Sequence, residues 1–237
     1  MKNLLKKTSI VSLSLLITLT LTNCEAVKNA NNKQKGGTIG AAGGAIIGAI
    51  IGNNVGKGGN GKIGAVIGGV LGGTAGVLIG NKMDKQAQEI EQEIPGATVE
   101  RVDDGIVVTF DENSGVYFDT NKDNINEKSK ETLNKLAKVL TDFPNTNILV
   151  VGHTDDRGKE DYNMTLSKNR AYSVTNYLKT KGLMDDRFTT NWFGETQPKQ
   201  DNSTADGRAK NRRVNITIVP NEKMKEIAKK EAGELKE

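Results

Sequence analysis

The sequence predicts a small α/β sandwich of ~120 residues behind a glycine-rich helical hairpin. The first observation is the distribution of glycine: eighteen of the 27 glycines lie between Gly36 and Gly80. The second is that strand patterns and helix patterns alternate from residue 97 onward, after a hairpin signal. The overall composition therefore averages over segments of different kinds, and each has to be interpreted separately.

Residues 1–23 are typical of a secretory signal, because three lysines precede the apolar run from Ile10 to Leu21. The run ends at Cys24, the only cysteine of the chain. The sequence Leu-Thr-Asn-Cys resembles the lipobox of bacterial lipoproteins, which implies that Cys24 is acylated. The alternative is an incidental buried cysteine after an ordinary signal. The signal holds three lysines and no acidic residue, so its removal lowers the net charge from +4 to +1. A mature chain with so little positive charge is not expected to bind nucleic acid.

Residues 36–81 follow a linker at 24–35 and repeat glycine every four residues, with one interruption at Asn60. This spacing puts the glycines on one helical face, where two backbones can approach closely. The uncharged stretches 36–56 and 63–81 are each near the length that crosses a bilayer, and a polar turn separates them. We expect a helical hairpin in or on the membrane. A glycine-rich spacer, or a soluble self-associating helical pair, is the alternative.

The remaining chain divides into a helical connector at 82–96, a globular domain at 97–220 and a charged tail at 221–237, which we expect to be solvated. The connector has apolar residues at helical spacing and ends at Pro95. In the domain, the strand patterns cover 98–102, 106–110, 148–152, 188–193 and 214–219, and the helix patterns cover 126–142 and 164–181.

Asp155 and Arg170 are the strongest candidates for ligand binding. Asp155 follows a buried strand, at the position where α/β layers usually form a ligand crevice. Arg170 lies near the start of the next helix, so the strand–loop–helix path can bring the two charges together. An Asp beside an Arg suits a zwitterionic amino-acid head group, with its ammonium on the carboxylate and its carboxylate on the guanidinium. A structural ion pair between loop and helix is the alternative.

Four motifs resemble those of the OmpA-like C-terminal domain, which is shared with Pal and MotB. They are Gly-His-Thr-Asp at 152–155, Asn-Met-Thr-Leu-Ser-Lys-Asn-Arg-Ala at 163–171, Phe-Gly-Glu at 193–195 and Asn-Arg-Arg-Val at 211–214. The resemblance covers about residues 97–220 and implies a two-layer sandwich whose mixed sheet has its helices on one face. It also implies that Asp155 and Arg170 bind the diaminopimelate of the peptidoglycan stem peptide. The glycine repeat resembles the glycine-zipper segment of some lipoproteins of this family.

The same resemblance extends the candidate ligand site to the loop that precedes the first domain helix and to the last motif. The ligand contacts expected from it, besides the pair above, are Asp119, Thr120, Asn121, Thr154, Asn211 and Arg212. The loop at 118–121 is equally explained as a helix-entry turn rich in Asx residues. Asn163 and Ser167 are expected to hold the loop by hydrogen bonds.

The sequence argues against an enzyme and gives no indication of a metal or cofactor. His153, the only histidine, has no nucleophile motif beside it, and one His with one Cys cannot form a Cys/His zinc cluster. We expect an outer-membrane lipoprotein that tethers the membrane to peptidoglycan, with its C-terminal domain in the periplasm and the bilayer as second partner. The alternative is a membrane-active homo-oligomer assembled through the glycine helices, with the wall domain only positioning it.

Overall fold

The computed structural model describes residues 72–110, 116–118 and 121–234. The signal peptide, Cys24, the linker and residues 36–71 of the expected hairpin lie outside the described residues. The predictions made for these segments therefore stay predictions.

The described strands form one mixed five-stranded sheet. It contains β1 (Thr98–Val102), β2 (Gly105–Phe110), β3 (Thr146–Gly152), β4 (Phe188–Trp192) and β5 (Val214–Pro220). The spatial order is β1-β2-β5-β3-β4, and only β3 and β4 run parallel. Strand β5 is the last in sequence but lies in the middle of the sheet, so the residues just before it adjoin the end of β3.

Five helices accompany the sheet in the described part of the chain. They are α1 (Gly73–Glu93), α2 (Glu127–Asp142), α3 (Glu160–Thr180), α4 (Ala205–Asn211) and α5 (Glu222–Glu231), with a 3-10 turn at Asp185–Arg187. The side chain of Asn126 caps α2 by accepting a hydrogen bond from Ser129 N, as expected of a residue type favoured there. Helix α3 begins one turn before the predicted start at Met164, because the apolar periodicity begins after the polar first turn.

One sheet face and four of the helices share the main hydrophobic core. The sheet contributes alternate residues, Ile106, Val108 and Phe110 from β2, Ile148 and Val150 from β3, and Val214, Ile216 and Ile218 from β5. Apolar residues of α1, α2, α3 and α5 belong to the same cluster. The predicted α/β sandwich, with its helices packed on one face of a mixed sheet, is confirmed. A smaller cluster, which includes Leu149, Val151 and Phe193, is built on the opposite pleat.

Helix α1 runs without a break through residue 81, where the sequence predicted the boundary between hairpin and connector. Ala75, Ile79, Met83 and Ala87 are buried at four-residue spacing, so the same helical face continues across that boundary. Through this face, residues 73–81 pack against the core of the globular domain. Within the ranges that the structure describes, there is no helix with the length and apolar character needed to cross a membrane.

The C-terminal tail forms α5 and packs against α1, so the expectation of a solvated tail was wrong. Met224 and Ala228 are buried in the main core. Lys82 Nζ lies 3.1 Å from a carboxylate oxygen of Glu231. Glu234 Oε1 accepts a hydrogen bond from Ala75 N at 3.2 Å, which places a negative charge at the N-terminus of α1 where the helix dipole favours it. The prediction failed because it rested on the many lysines and glutamates of the tail and overlooked Met224 and Ala228, which face the core.

We expect Met224→Ala to lower the free energy of unfolding by about 2 kcal/mol, because the residue is buried between α5 and the core. Urea unfolding of the full chain in detergent, followed by the fluorescence of Trp192, measures the change. Lys223→Ala is the matched control, since Lys223 is exposed on the same helix turn. Equal stability of the two variants would show that α5 is not part of the cooperative unit.

Candidate functional site

The end of β3 and the N-terminal half of α3 are in direct backbone contact. A Cβ on Gly152 would lie 2.1 Å from the carbonyl oxygen of Ser167, so only glycine permits this approach. Ser167 Oγ accepts a hydrogen bond from Gly194 N at 2.9 Å, which joins the loop after β4 to the same point. Gly194 itself has a φ of +53° beside the backbone of Met164. Three of the four sequence motifs thus meet here.

The loop after β3 is held by hydrogen bonds from both sides. Thr154 N donates to Gly194 O at 2.8 Å, and Asp155 Oδ1 accepts from Arg157 N at 3.2 Å. The Nδ2 group of Asn163 lies 3.1 Å from Arg157 O and 3.3 Å from Asp155 O, both of which accept from it. These bonds confirm that Asn163 holds the loop, as Ser167 does, and they fix the position of the Asp155 carboxylate.

Asp155 and Arg212 form an ion pair at the mouth of this loop. Arg212 Nη1 donates to Asp155 Oδ2 at 2.8 Å, and the two side chains are 24% and 10% exposed. His153 N donates to Arg213 O at 3.0 Å, which continues the antiparallel pairing of β3 with β5 beyond Gly152 and Val214 and brings the loop after β3 next to the residues that precede β5. The structure therefore brings together two of the predicted ligand residues.

Arg170 joins the same cluster from α3 and is 1% exposed. Its Nε donates to Lys122 O at 3.0 Å, and its guanidinium lies 5.2 Å from the ring centroid of Phe118. Burial lowers the pKa of Arg170 to about 10, the charge of Arg212 adds to the decrease, and Asp155 opposes it. Arg170 is still a cation at neutral pH, and the carboxylates of Asp155 and Asp123 both favour its charged form.

Asn211 is inside the fold, and the structure gives it a positional role. It is fully buried, and its Oδ1 accepts from Lys199 N and Gln200 N at 2.7 and 2.9 Å. Its Nδ2 donates to Gln200 O and to Asn202 Oδ1, both at 2.7 Å. With all its amide capacity used, Asn211 holds the turn before α4 and offers no atom to a ligand, contrary to the contact expected from the sequence.

The other predicted contacts have different locations. Asn121 is exposed with a left-handed φ of 58°, a conformation that Asn tolerates better than most residues. Thr154 is 2% exposed, and its Oγ1 is buried with no partner among the described residues. Asp119 and Thr120 lie outside the described residues, so their ligand contacts stay predictions.

His153 points to the opposite face of the sheet and is 2% exposed. Its ring stacks on Phe193 with centroids 5.9 Å apart. Burial, followed by the charge of Arg213, lowers the pKa of His153 well below its ordinary value. Arg213 is also buried and donates from Nη2 to Gln197 O at 3.0 Å. A neutral ring enclosed in this way is packed in the fold.

Sequence reasoning missed two groups that complete the surroundings of Arg170. One is the carbonyl of Lys122, which accepts its Nε hydrogen bond, and the other is the Phe118 ring beneath its guanidinium. Phe118 is the first residue of the predicted ligand loop, and an aromatic residue next to a buried cation could have been inferred from cation–π chemistry. A carbonyl contact from an exposed lysine carries no sequence signal. In the described ranges, no three His, Cys, Asp or Glu residues converge as metal ligands would.

Two family models match separate parts of the chain. Residues 117–212 match the OmpA family, and residues 5–84 match the YMGG-like Gly-zipper. The first match contains the whole Asp155–Arg170–Arg212 cluster, and the second ends inside α1. The two parts of the chain thus match an OmpA-family model and a Gly-zipper model, as the motifs predicted.

The chain is also similar to individual proteins. It is 36% identical over 150 residues to the probable lipoprotein YiaD of Escherichia coli, a match that covers 60% of this chain and 65% of the relative. It is 41% identical over 81 residues to the peptidoglycan-associated lipoprotein of Buchnera aphidicola, covering 34% and 47%. A putative MotB-like protein from Desulfovibrio vulgaris shares the fold, with a TM-score of 0.52, 22% identity and coverage of 61% and 96%. The chain thus spans less than two thirds of these curated relatives.

We expect the domain to lose stability as the pH falls through the range below ~6.5, because His153 is neutral in the fold and must be protonated in the unfolded chain. The unfolded state then binds more protons, so the free energy of unfolding rises with pH and this contribution is complete above the unfolded pKa. The expected loss from this one group is about 1.4 kcal/mol at pH 5.5.

Urea unfolding at pH 7.5 and 5.5 measures this loss, and His153→Gln isolates it from the titration of carboxylates. The variant should show a pH-dependent loss smaller than that of the native chain by the amount given above. Identical pH dependence in the two proteins would mean that His153 takes up its proton without disturbing the fold.

Proposed function

We propose that this chain, which carries an OmpA-family domain, is a non-catalytic lipoprotein of the cell envelope that binds peptidoglycan and tethers it to the outer membrane. The observation that carries the proposal is the convergence of Asp155, Arg170 and Arg212 where β3 ends. The relatives named above support it, since one is called a lipoprotein and another a peptidoglycan-associated lipoprotein.

The ligand that fits this cluster is an amino-acid head group with free ammonium and carboxylate groups. A guanidinium fork binds a carboxylate through two parallel hydrogen bonds, and Asp155 can receive an ammonium. Diaminopimelate in the stem peptide has such a head group at the end of its side chain.

The buried position of His153 supports a function without catalysis. His153 faces the other side of the sheet from the site and is stacked on Phe193. General acid–base catalysis needs a proton-transfer group within hydrogen-bond reach of the substrate, which this ring does not have. The site is therefore better suited to holding a ligand than to transforming it.

The lipid anchor complements the binding site. Acylation at Cys24 would fix the N-terminal end in the outer membrane, and several acyl chains on one residue give a durable anchor. The part of the glycine-rich segment that precedes α1 would then lie in or on that membrane, and it would lead directly into α1, the first helix of the wall-binding domain. In this arrangement the periplasmic domain holds the peptidoglycan while the N-terminus holds the bilayer.

We expect Asp155→Ala and Arg170→Ala each to weaken binding to insoluble peptidoglycan by at least about tenfold, because each removes a charge-assisted hydrogen bond worth ~1.5–3 kcal/mol. Co-sedimentation of the full chain with purified sacculi measures the binding. Asp185→Ala, at an exposed aspartate in the 3-10 turn, is the matched control and should bind normally.

The buried position of Arg170 calls for a second variant. Arg170→Lys keeps the charge but loses the fork, so it should bind more weakly than the native chain and more strongly than Arg170→Ala. Unfolding curves of each variant identify any loss that comes from misfolding. Undiminished binding by folded Asp155→Ala and Arg170→Ala would exclude the proposed site.

A second candidate function is assembly of a membrane-active oligomer, favoured by the Gly-zipper match over residues 5–84. Crosslinking of intact membranes should then give a ladder that Gly48→Leu and Gly72→Leu abolish, because leucine prevents the close helix approach. A Cβ at Gly72 meets nothing within 4 Å, so the change does not crowd the described domain. Monomers alone in the native chain would refute this candidate.

A further inference from the structure

Two aromatic rings and a lysine form an exposed surface on the other side of α3 from Arg170. Trp192 is the only tryptophan of the chain, ends β4 and is half-buried. Tyr172 is 39% exposed, and its ring centroid lies 5.9 Å from that of Trp192 with the planes tilted by 45°. Lys168 Nζ lies 5.1 Å from the Trp192 centroid. We refer to these three residues as the aromatic platform.

The platform is held rigidly by the fold beneath it. The hydroxyl groups of Thr175 and Thr190 hydrogen-bond at 2.8 Å, which ties α3 to β4 three residues after Tyr172 and two residues before Trp192. Asn191 Oδ1 accepts from Trp192 N at 2.9 Å, and Trp192 pairs in register with Gly152 of β3. A surface organised before binding loses little conformational entropy when a ligand is bound.

The platform lies at the same end of the sheet as the charged cluster. Trp192 is two residues from Gly194, whose carbonyl accepts a hydrogen bond from Thr154 N. The length of this path limits the distance from Trp192 to Asp155 to less than about 20 Å. Lys168 and Tyr172 are each two residues from Arg170 along α3, which corresponds to a rotation of about 200° around the helix axis. The aromatic platform and the charged cluster therefore lie on opposite sides of α3, separated by roughly one helix diameter of 10 Å.

The chemistry of the platform suits a saccharide. One face of a pyranose ring presents C–H groups that stack on aromatic rings, while its hydroxyl and acetamido oxygens accept hydrogen bonds from a cation such as Lys168. The two tilted rings provide two stacking positions, as required by two successive sugars. Among the described residues, the exposed aliphatic side chains Val77 and Met184 belong to other parts of the fold, so no broad apolar patch surrounds the platform for a protein partner.

We propose that the aromatic platform binds the glycan strand whose stem peptide is held at Asp155 and Arg170. The inference rests on the proposed function, because it assigns the platform to the sugars of the same ligand. The peptide head group and the glycan would then contact α3 from its two opposite sides. Peptidoglycan would be recognised by both of its chemical components, at two separate surfaces of one domain.

The test compares a ligand with sugars and a ligand without them. The full chain is titrated with a soluble disaccharide–tetrapeptide and with the free tetrapeptide of the same sequence, both containing diaminopimelate. Trp192→Leu and Tyr172→Leu should each weaken binding of the disaccharide–tetrapeptide by about tenfold and leave binding of the tetrapeptide unchanged. Tyr172→Phe keeps the ring and should bind both ligands as the native chain does.

A matched control lies at the other end of α3. Lys181 Nζ is 4.8 Å from the ring centroid of Tyr177, so this pair reproduces the lysine–aromatic arrangement away from the site. Tyr177→Leu should change neither affinity. Equal losses of affinity for both ligands in Trp192→Leu would mean that the residue acts through the fold. Unchanged affinities in both platform variants would mean that the sugars bind elsewhere. Either result would overturn the proposal that the platform binds the glycan. If Asp155→Ala leaves tetrapeptide binding intact, the proposed function fails instead.

Discussion

The site depends on one steric constraint, the contact between Gly152 and the backbone of Ser167. Any side chain at Gly152 would overlap the Ser167 carbonyl, so β3 and α3 can approach this closely only with glycine in the strand. Asp155 is three residues beyond Gly152, and Arg170 is three residues beyond Ser167. The distance between carboxylate and guanidinium is therefore set by two short backbone segments that leave the same contact, and Gly194 extends that contact to the loop after β4.

The electrostatics of the site follow from this forced proximity. Burial and the neighbouring Arg212 both lower the pKa of Arg170, which means that the fold holds this cation at a cost. Asp155 pairs with Arg212 and, together with Asp123, also favours the charged form of Arg170. Replacing such a cluster by apolar residues is often neutral or stabilising in other proteins, so the proposed ligand explains its presence better than stability does. The cluster offers both an acceptor for an ammonium and donors for a carboxylate.

Local patterns were sufficient to predict the strands, the two central helices and the loop that carries Asp155. Periodicity shows which face of a strand or helix is apolar, and the apolar faces of these strands and helices pack against one another as the predicted sandwich requires. It does not report what covers that face, so the continuation of α1 past residue 81 and the packing of α5 against it were missed. Asn211 and Arg212 show the same limit within the site. They are neighbours in one motif, yet Asn211 is enclosed by the turn at 199–202 and Arg212 contacts Asp155. Their side chains point in different directions because α4 ends between them.

Helix α1 follows two sequence patterns at once, and this has a mechanical consequence. Glycines at 72, 76 and 80 continue the four-residue repeat, while Ala75, Ile79 and Met83 give the same helix an apolar side that packs in the core of the domain. The helix runs unbroken from Gly73 to Glu93, and a turn at Pro95 and Gly96 then leads into β1. Glu231 of α5 pairs with Lys82, and Glu234 just beyond α5 accepts a hydrogen bond from Ala75 N, so the C-terminal residues hold α1 from one side while the core holds it from the other. The last glycines of the repeat are therefore part of a helix that packs in the same hydrophobic core as β3, so they cannot move independently of the strand that leads to Asp155 without breaking core contacts.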